Sequence, residues 1–412
     1  MSRTLLTAGV CLALVPTVAH AQERAKSSTP VTAITSTDVT RLYYNGDLRF
    51  ETADKRFTSR IGGRLHYDGI WTDDGNQATD GTRFRRGRVY IRGTVNENVD
   101  YNFAFDFAGG DADFRDAYIK YNGLLGPLYL QVGQFFAPHG LETQTSSNYM
   151  AFVERSPIDA LSIMRASGIA TGASFADGQG TWKAAIVNNE TDSYGDAAGG
   201  HWEAAVRGTY QLPIGDTDDS FMHFGAGLTH GSSNDGIGFD ADPGVSRGPD
   251  LVTLAGIPSD GIQRMNLELA AVFGAFSAQA EYRQVDIDGT TGNADTTLDG
   301  SYVQVSWFAT DDVRPYKDGL FTGVKPKNPW QGWGEGTGAL EFVARYSMID
   351  FSDSPVAGAS AAVEGNLITL GANWYLNQNA RIMLNYNMAE SEDSGGATTD
   401  KDSAVVRFQL TF

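Results

Sequence analysis

The chain has 412 residues, with 50 Asp and Glu against 31 Lys and Arg, for a formal net charge of −19 at pH 7. So acidic a chain is a poor partner for nucleic acid. Its 22 Phe, 17 Tyr and 48 Gly against 13 Pro, without a long segment of helical period, point to β-structure rather than helices.

Residues 1–21 read as a secretory leader. Arg3 gives a positive start, Leu5 to Val18 is apolar apart from Thr, Gly, Cys and Pro, and Ala19-His20-Ala21 is an A-x-A cleavage site. The mature chain is expected to begin at Gln22, and losing Arg3 takes the charge from −19 to −20. The apolar run is too short to cross a bilayer as a helix. Cys11 lies inside the leader and follows Val10 rather than the small residue of a lipobox. The mature chain therefore has no disulfide and no thiolate metal site. Residues 22–59 are expected to form a periplasmic linker segment. After Gln22 no apolar stretch is long enough for a membrane helix, which leaves a soluble secreted protein or a closed barrel.

From Arg60 onward the sequence alternates. Sixteen segments are legible, at 60–71, 84–96, 101–108, 114–121, 128–136, 171–177, 181–188, 202–212, 221–230, 264–273, 275–287, 300–309, 339–349, 364–376, 380–389 and 403–412. Many are near the ~10 residues that a tilted membrane strand needs. In 101–107, Tyr101, Phe103, Phe105 and Phe107 alternate with Asn102, Ala104 and Asp106. The last segment sets Ala404, Val406, Phe408, Leu410 and Phe412 against Val405, Arg407, Gln409 and Thr411, and it ends on an aromatic residue. The links between segments alternate short and long, as the turns and outer loops of an outer-membrane barrel do. One long link, Thr310 to Gly338, falls where a turn is expected and carries Arg314, Lys317, Lys325 and Lys327. The expected fold is all-β: a transmembrane antiparallel β-barrel of 16 strands over 60–412. A soluble β-sandwich explains neither the strand number nor the terminal Phe412.

With apolar residues facing lipid, the opposite parity faces the lumen. That places Arg64, Arg86, Arg88, Arg92, Arg207, Arg283, Arg345, Arg381, Arg407 and Lys120 inside, with Asp68, Asp106, Asp116, Glu203, Glu281 and Glu341. The lumen is thus expected to be basic although the protein is acidic. Some of these arginines are expected to pair across the wall, as Arg283 with Glu281 and Arg345 with Glu341. Arg83, Arg85, Arg86 and Arg88 form a denser cluster, and fixed positive charge in a narrow channel concentrates anions. The surplus acids gather in presumptive loops, for example Asp286, Asp288, Asp295 and Asp299, then Glu390, Glu392 and Asp393. Link 137–170 is long, sparsely charged and holds Leu141, Met150, Phe152, Val153, Ile158, Leu161, Ile163 and Met164. Such a third outer loop is expected to fold inward and narrow the pore; the alternative is a cap packed on a neighbouring subunit.

The stretches FRRGRVYIRG (84–93), GQFFAPHGLETQTSSNYMAFVERS (133–156), GAFSAQAEY (274–282) and PYKDGLFTGVKPKN (315–328) resemble the phosphate-selective porin O and P family, in the expected order from about Gly62 to Phe412. The resemblance implies a homotrimeric sixteen-stranded barrel in the outer membrane of a Gram-negative bacterium, with passive uptake of small anions. It matches Arg85 and Arg86 to the family's paired pore arginines, and Ser146, Ser147 and Arg155 to residues lining its constriction. The anion-contacting set is then Arg64, Arg85, Arg86, Arg88, Arg92, Ser146, Ser147 and Arg155. Lys317, Lys325 and Lys327, with Arg314, resemble its periplasmic basic cluster. Two positions depart: Thr143 and Asp100 stand where phosphate-selective members carry lysines, which weakens a phosphate site.

The leading reading is a porin for small anions, phosphate or polyphosphate among them. The alternative is a weakly selective nutrient porin that has lost the phosphate site. Expected partners are anionic solutes, outer-membrane lipid and lipopolysaccharide, and the barrel-assembly machinery through Phe412. No cofactor or metal is expected, and no enzyme: none of the six His forms H-E-x-x-H or a recognisable Ser/His/Asp arrangement.

Overall fold

A computed structural model of the chain describes residues 40–73, 79–188, 201–215, 219–232, 236–290, 294–332, 334–354 and 362–412. The leader, the cleavage site and the linker up to residue 39 lie outside the described residues.

Sixteen strands close into one barrel: β1 (Phe57–Asp73), β2 (Gly81–Val95), β3 (Val99–Asp106), β4 (Asp113–Asn122), β5 (Tyr129–Phe136), β6 (Arg165–Phe175), β7 (Gly180–Asn188), β8 (Trp202–Pro213), β9 (Ser220–Ser232), β10 (Val252–Phe273), β11 (Phe276–Gly289), β12 (Thr296–Phe308), β13 (Ala339–Asp350), β14 (Ala362–Tyr375), β15 (Ala380–Asp393) and β16 (Asp402–Thr411). Each pairs antiparallel with its neighbour in sequence. β16 returns to β1, from Asp402 opposite Asp73 to Thr411 opposite Arg64, so the barrel closes on itself. The seam is finished by Phe412, whose N–H donates to the Gly63 carbonyl at 3.1 Å while Gly63 N–H donates to the Phe412 carbonyl at 2.6 Å. A Cβ on Gly63 would stand 2.7 Å from the Phe412 ring, so this position has no room for a side chain.

The outer surface carries the apolar parity. Leu65, Val89, Ile91, Val132, Ile169, Val206, Leu228, Val303, Leu370, Leu384 and Phe408 are all exposed on it. Such a surface is stable only against hydrocarbon, and closure of the ladder leaves no barrel strand without a neighbour on either side, as a membrane requires.

Several strands differ in extent from the sequence reading, β6 and β10 most of all. β6 starts at Arg165, so the third long loop, L3, is 137–164 rather than 137–170. β10 starts at Val252 rather than 264, and its first residues pair with a short strand, Gly236–Ala241. Most of the acids placed in loops (Asp286, Asp288, Asp299, Glu390, Glu392 and Asp393) stand on strands that project beyond the apolar belt. A periodic pattern marks where a strand crosses lipid, but polar projecting ends carry no such signal. The described part of the N-terminal linker is also a hairpin, Arg41–Tyr44 with Leu48–Glu51, the second strand pairing with Thr58–Ile61 of β1.

The barrel is filled on one side. L3 lies inside, with Leu141, Met150, Phe152, Val153, Ile158, Leu161 and Ile163 each no more than 1% exposed. Burying side chains of this size contributes about 1.5–3 kcal/mol each. L3 packs on Val343, and with L5 (residues 236–251) on Ile70, Met383 and Val405. The long link 309–338 also turns inward: a hairpin of Tyr316–Lys317 and Leu320–Phe321 packs beneath Leu141 on Phe221, Ala270 and Val272. Three inserts thus cover the inner face of β9 to β16 and leave open a passage along β1 to β6.

Candidate functional site

Polar residues of β11 to β16 hold L3 in place. Glu281 accepts the amides of Leu141 and Glu142 at 2.9 and 2.7 Å, at the start of a one-turn helix, Leu141–Gln144. Arg345 donates to Glu142 at 3.0 Å, Arg381 to the Met150 carbonyl at 2.8 Å, and Asn373 to the Ala151 carbonyl at 2.8 Å. Asn385 accepts the Val153 amide at 2.7 Å. Arg283 reaches Glu281 at 3.1 Å, as the sequence reading expected, and Thr143 at 2.8 Å. The pairing of Arg345 with Glu341 does not form: Arg345 bonds Glu142 instead, and Glu341 accepts from Asn373 and Tyr375. Alternation could not show this partner, because Glu142 arrives from L3. Burial pushes the Glu142 carboxyl up, against the Arg345 guanidinium.

The open side is lined by β1, β2, β4, β6 and the near face of L3. It forms a cavity of about 640 Å³ bordered by Arg64, Arg85, Arg86, Arg88, Arg92, Arg115, Arg155 and Arg165, with five acids, Asp116, Glu154, Asp159, Asp240 and Asp242. Ser146 and Ser147 border it too, so all eight residues of the expected anion-contacting set surround one space.

The arginines of β1 and β2 stand opposite one another, Arg60 with Arg92 and Arg64 with Arg88, while Arg86 faces His66. Like charges directly across strands destabilise a sheet, so this column persists only where something else compensates it. Strict alternation would turn Arg85 toward lipid. The register shift between His66/Arg86 and Tyr67/Phe84 makes Arg85 the extra residue of a β-bulge, which aims it inward beside Arg86. A second shift, where Phe103 opposes Ala117 and Phe105 opposes Phe114, does the same for Arg115 and Asp116. Arg115 and Arg165 were not legible as pore residues: the first sits on that bulge, and the second precedes the alternating part of β6. Asp240, Asp242 and Leu320 come from inserts.

Charge compensation along the column is uneven. Glu154 accepts Arg85 at 2.8 and 3.2 Å, lies 3.6 Å from Arg86, and accepts Arg407 at 2.8 Å. Arg407 also bonds Asp68 twice at 2.7 Å. Three guanidiniums therefore share two carboxylates. Against the cost of burial, Arg85, Arg86 and Arg407 hold the Glu154 carboxyl well below the usual carboxylate range. Arg88 pairs with Asp106 at 2.7 Å and Arg165 with Asp116 at 3.2 Å. Arg155 spends its donors on the carbonyls of Glu142, Thr143 and Thr145. Arg64 has only Ser146 and Ser147, at 3.3 and 2.8 Å, with no carboxylate within 4 Å among the described residues. Nε of Arg64, and Nε and Nη1 of Arg86, are buried without a hydrogen-bond partner. A guanidinium with unspent N–H groups is a ready donor to an oxyanion.

The other expected cluster is dispersed. Arg314 is buried 3.6 Å over the Phe321 ring, whereas Lys317, Lys325 and Lys327 are exposed on the link. Thr143 is fully buried and donates to Asp159 at 2.5 Å, facing the wall rather than the passage. Asp100 accepts from Thr94 and Asn122 at 2.8 and 2.7 Å.

Comparison with known proteins adds a family. The family described as phosphate-selective porin O and P matches residues 60–412. Porin O of Pseudomonas aeruginosa is 27% identical over 89% of this chain and 91% of its own length. An uncharacterised protein of Caulobacter vibrioides is 25% identical over 97% of this chain and 83% of its own. Solved structures share the fold at low identity. A loop-deletion form of OmpT, an outer membrane protein of Vibrio cholerae, gives a TM-score of 0.55 at 12% identity, covering 87% of this chain and all of its own. The anion-selective porin from Comamonas acidovorans gives 0.51 at 13%, covering 86% and 100%.

Proposed function

The chain belongs to the phosphate-selective porin O and P family, and on that premise we propose that this outer-membrane channel selects small anions, phosphate among them, along the arginines of β1 and β2. It is a channel and not an enzyme. The observation that carries the selectivity is that Arg64 and Arg86 border the cavity undercompensated, Arg64 with two serine hydroxyls and Arg86 sharing Glu154 with Arg85 and Arg407. In a narrow lumen of low dielectric such charges favour anions over cations. The description of the family supports phosphate as a solute. Burial of Thr143 and the carboxylate of Asp100 argue for a phosphate site weaker than one that has lysines there.

The short-turn end faces the periplasm and the long loops face outward, by the rule for barrels of this kind. We further propose that residues 1–21 are removed, that the linker before β1 is periplasmic, that Phe412 marks the chain for barrel assembly, and that the outer surface meets lipid and lipopolysaccharide. A homotrimer is the proposed assembly, supported by the trimer form of OmpT of Vibrio cholerae.

The second reading, a weakly selective nutrient porin, rests on the paired arginines: Arg207 with Glu268 at 2.6 Å, Arg283 with Glu281, and Arg345 with Glu142. These pairs stand largely on the wall that the inserts cover, which favours the selective reading. The test is the reversal potential of purified protein in a planar bilayer under a KCl gradient, followed by added phosphate. Anion selectivity with phosphate block of chloride current is expected; a potential near zero would leave the weakly selective porin.

A further inference from the structure

The arginine column ends at the periplasmic side on a carboxylate from outside the barrel wall. The N-terminal hairpin turns at Asn45–Asp47, with Gly46 at φ 80°, and Asn379 Nδ2 fixes the turn by donating to the Gly46 carbonyl at 3.2 Å. This puts the Asp47 side chain, only 4% exposed, against the last rung of the column. One oxygen, Oδ1, accepts Arg49 Nε at 2.6 Å. The other, Oδ2, accepts the Tyr90 hydroxyl at 3.3 Å and lies 4.0 Å from both Arg60 Nη1 and Arg92 Nη2. Arg92 also lies over the Tyr90 ring at 4.3 Å, and its Nε is buried without a partner. Oδ2 thus occupies the position that an oxygen of a permeating oxyanion would take between two guanidiniums and a phenol.

We infer that Asp47 is a built-in counter-anion at the periplasmic end of the passage, which lowers the affinity of the last rung and so promotes release of the anion. The inference rests on the proposed anion pathway. A column of uncompensated arginines would bind best where the anion must leave, and binding that is too tight at the exit slows conduction. Arg64 further up has only two serine hydroxyls as partners, whereas the rung of Arg60 and Arg92 meets a tethered carboxylate. Affinity then falls from the middle of the passage toward the periplasm. Bonds among half-exposed groups of this kind are individually modest, so the effect is one of grading rather than blockade.

The experiment compares the full-length wild type, Asp47→Asn and Arg49→Gln in planar bilayers, measuring reversal potential and the phosphate concentration that halves chloride current. Asp47→Asn should make phosphate block about three- to fivefold tighter and raise anion selectivity. Arg49→Gln leaves the carboxylate in place but removes the cation on its other oxygen, and should weaken the block. An anion-selective wild type with both variants unchanged overturns the inference and leaves the pathway standing. A wild type without anion selectivity overturns the pathway and the inference with it. Should Asp47→Asn fail to form channels, the Arg49→Gln result decides, because a block as tight as wild type in that variant contradicts a role for the carboxylate.

Discussion

An arginine's worth to a passing anion depends on what its N–H groups already hold. Arg283 and Arg407 have every guanidinium nitrogen bonded, and Arg345 holds Glu142 and the Glu154 carbonyl, while Arg64 has only two serine hydroxyls and Arg86 lies 3.6 Å from a Glu154 that it shares with Arg85 and Arg407. Arg86→Glu therefore changes the charge beside the passage by two units and should markedly lower anion preference; an unchanged reversal potential would contradict a role in selection. Asp242 supplies the opposite charge in the same space. Burial, and then the Glu154 carboxylate, push the Asp242 carboxyl up to about 7, against the pull of Arg85. Below that pH the group is neutral and the passage loses a negative charge; above it the charge returns. Anion selectivity should thus rise as pH falls from 8 to 6, and Asp242→Asn should remove most of that dependence. Alternation revealed most of the inward arginines, though not Arg85, Arg115 or Arg165, and it did not show which were spent, because their partners Glu142, Glu154 and the L3 carbonyls come from a loop without period.

At the level of elements, L3 is what narrows the barrel to a passage along one wall. Its apolar content made inward folding legible, and the alternative of a cap between subunits does not hold, since Phe152, Ile158 and Leu161 are buried in the chain's own lumen. Its fastening is less visible in the sequence. Glu142→Ala would leave Arg345 buried without its carboxylate, at a cost on the order of 3–5 kcal/mol if the loop stayed put. The loop should instead loosen, seen as higher and noisier single-channel conductance and as faster proteolysis near residue 150; wild-type conductance would show that Glu142 does not hold L3. Both bulges also lie beyond the reach of alternation. The doublets Arg85-Arg86 and Arg115-Asp116 read as one residue inward and one outward, yet the shift in register turns both members to the lumen. The inward hairpin of link 309–338 was equally hidden, since strands of two residues have no periodicity to detect.

As a whole, the molecule sorts its residues by surface: an apolar belt outside, acidic projecting strands at the loop end, and a lumen divided into a filled half and a charged half. The sixteen crossings were legible because lipid enforces alternation on each of them. The division of the lumen was not, because it is made by inserts. The belt makes its own prediction: Val303, exposed on the outer face of β12, lies in the crossing part of its strand. Val303→Arg should cost about 2–4 kcal/mol in reversible unfolding from lipid vesicles; a cost near zero would mean that this face is not against lipid. Whether anions travel along β1 and β2 rather than along the opposite wall can be seen by locating them in crystals soaked in bromide. Anomalous peaks are expected within hydrogen-bonding distance of Arg64 and Arg86, in the cavity beside Ser146 and Ser147. Peaks confined to the wall of Arg283 and Arg345, or an arginine column without any, would contradict a route along β1 and β2.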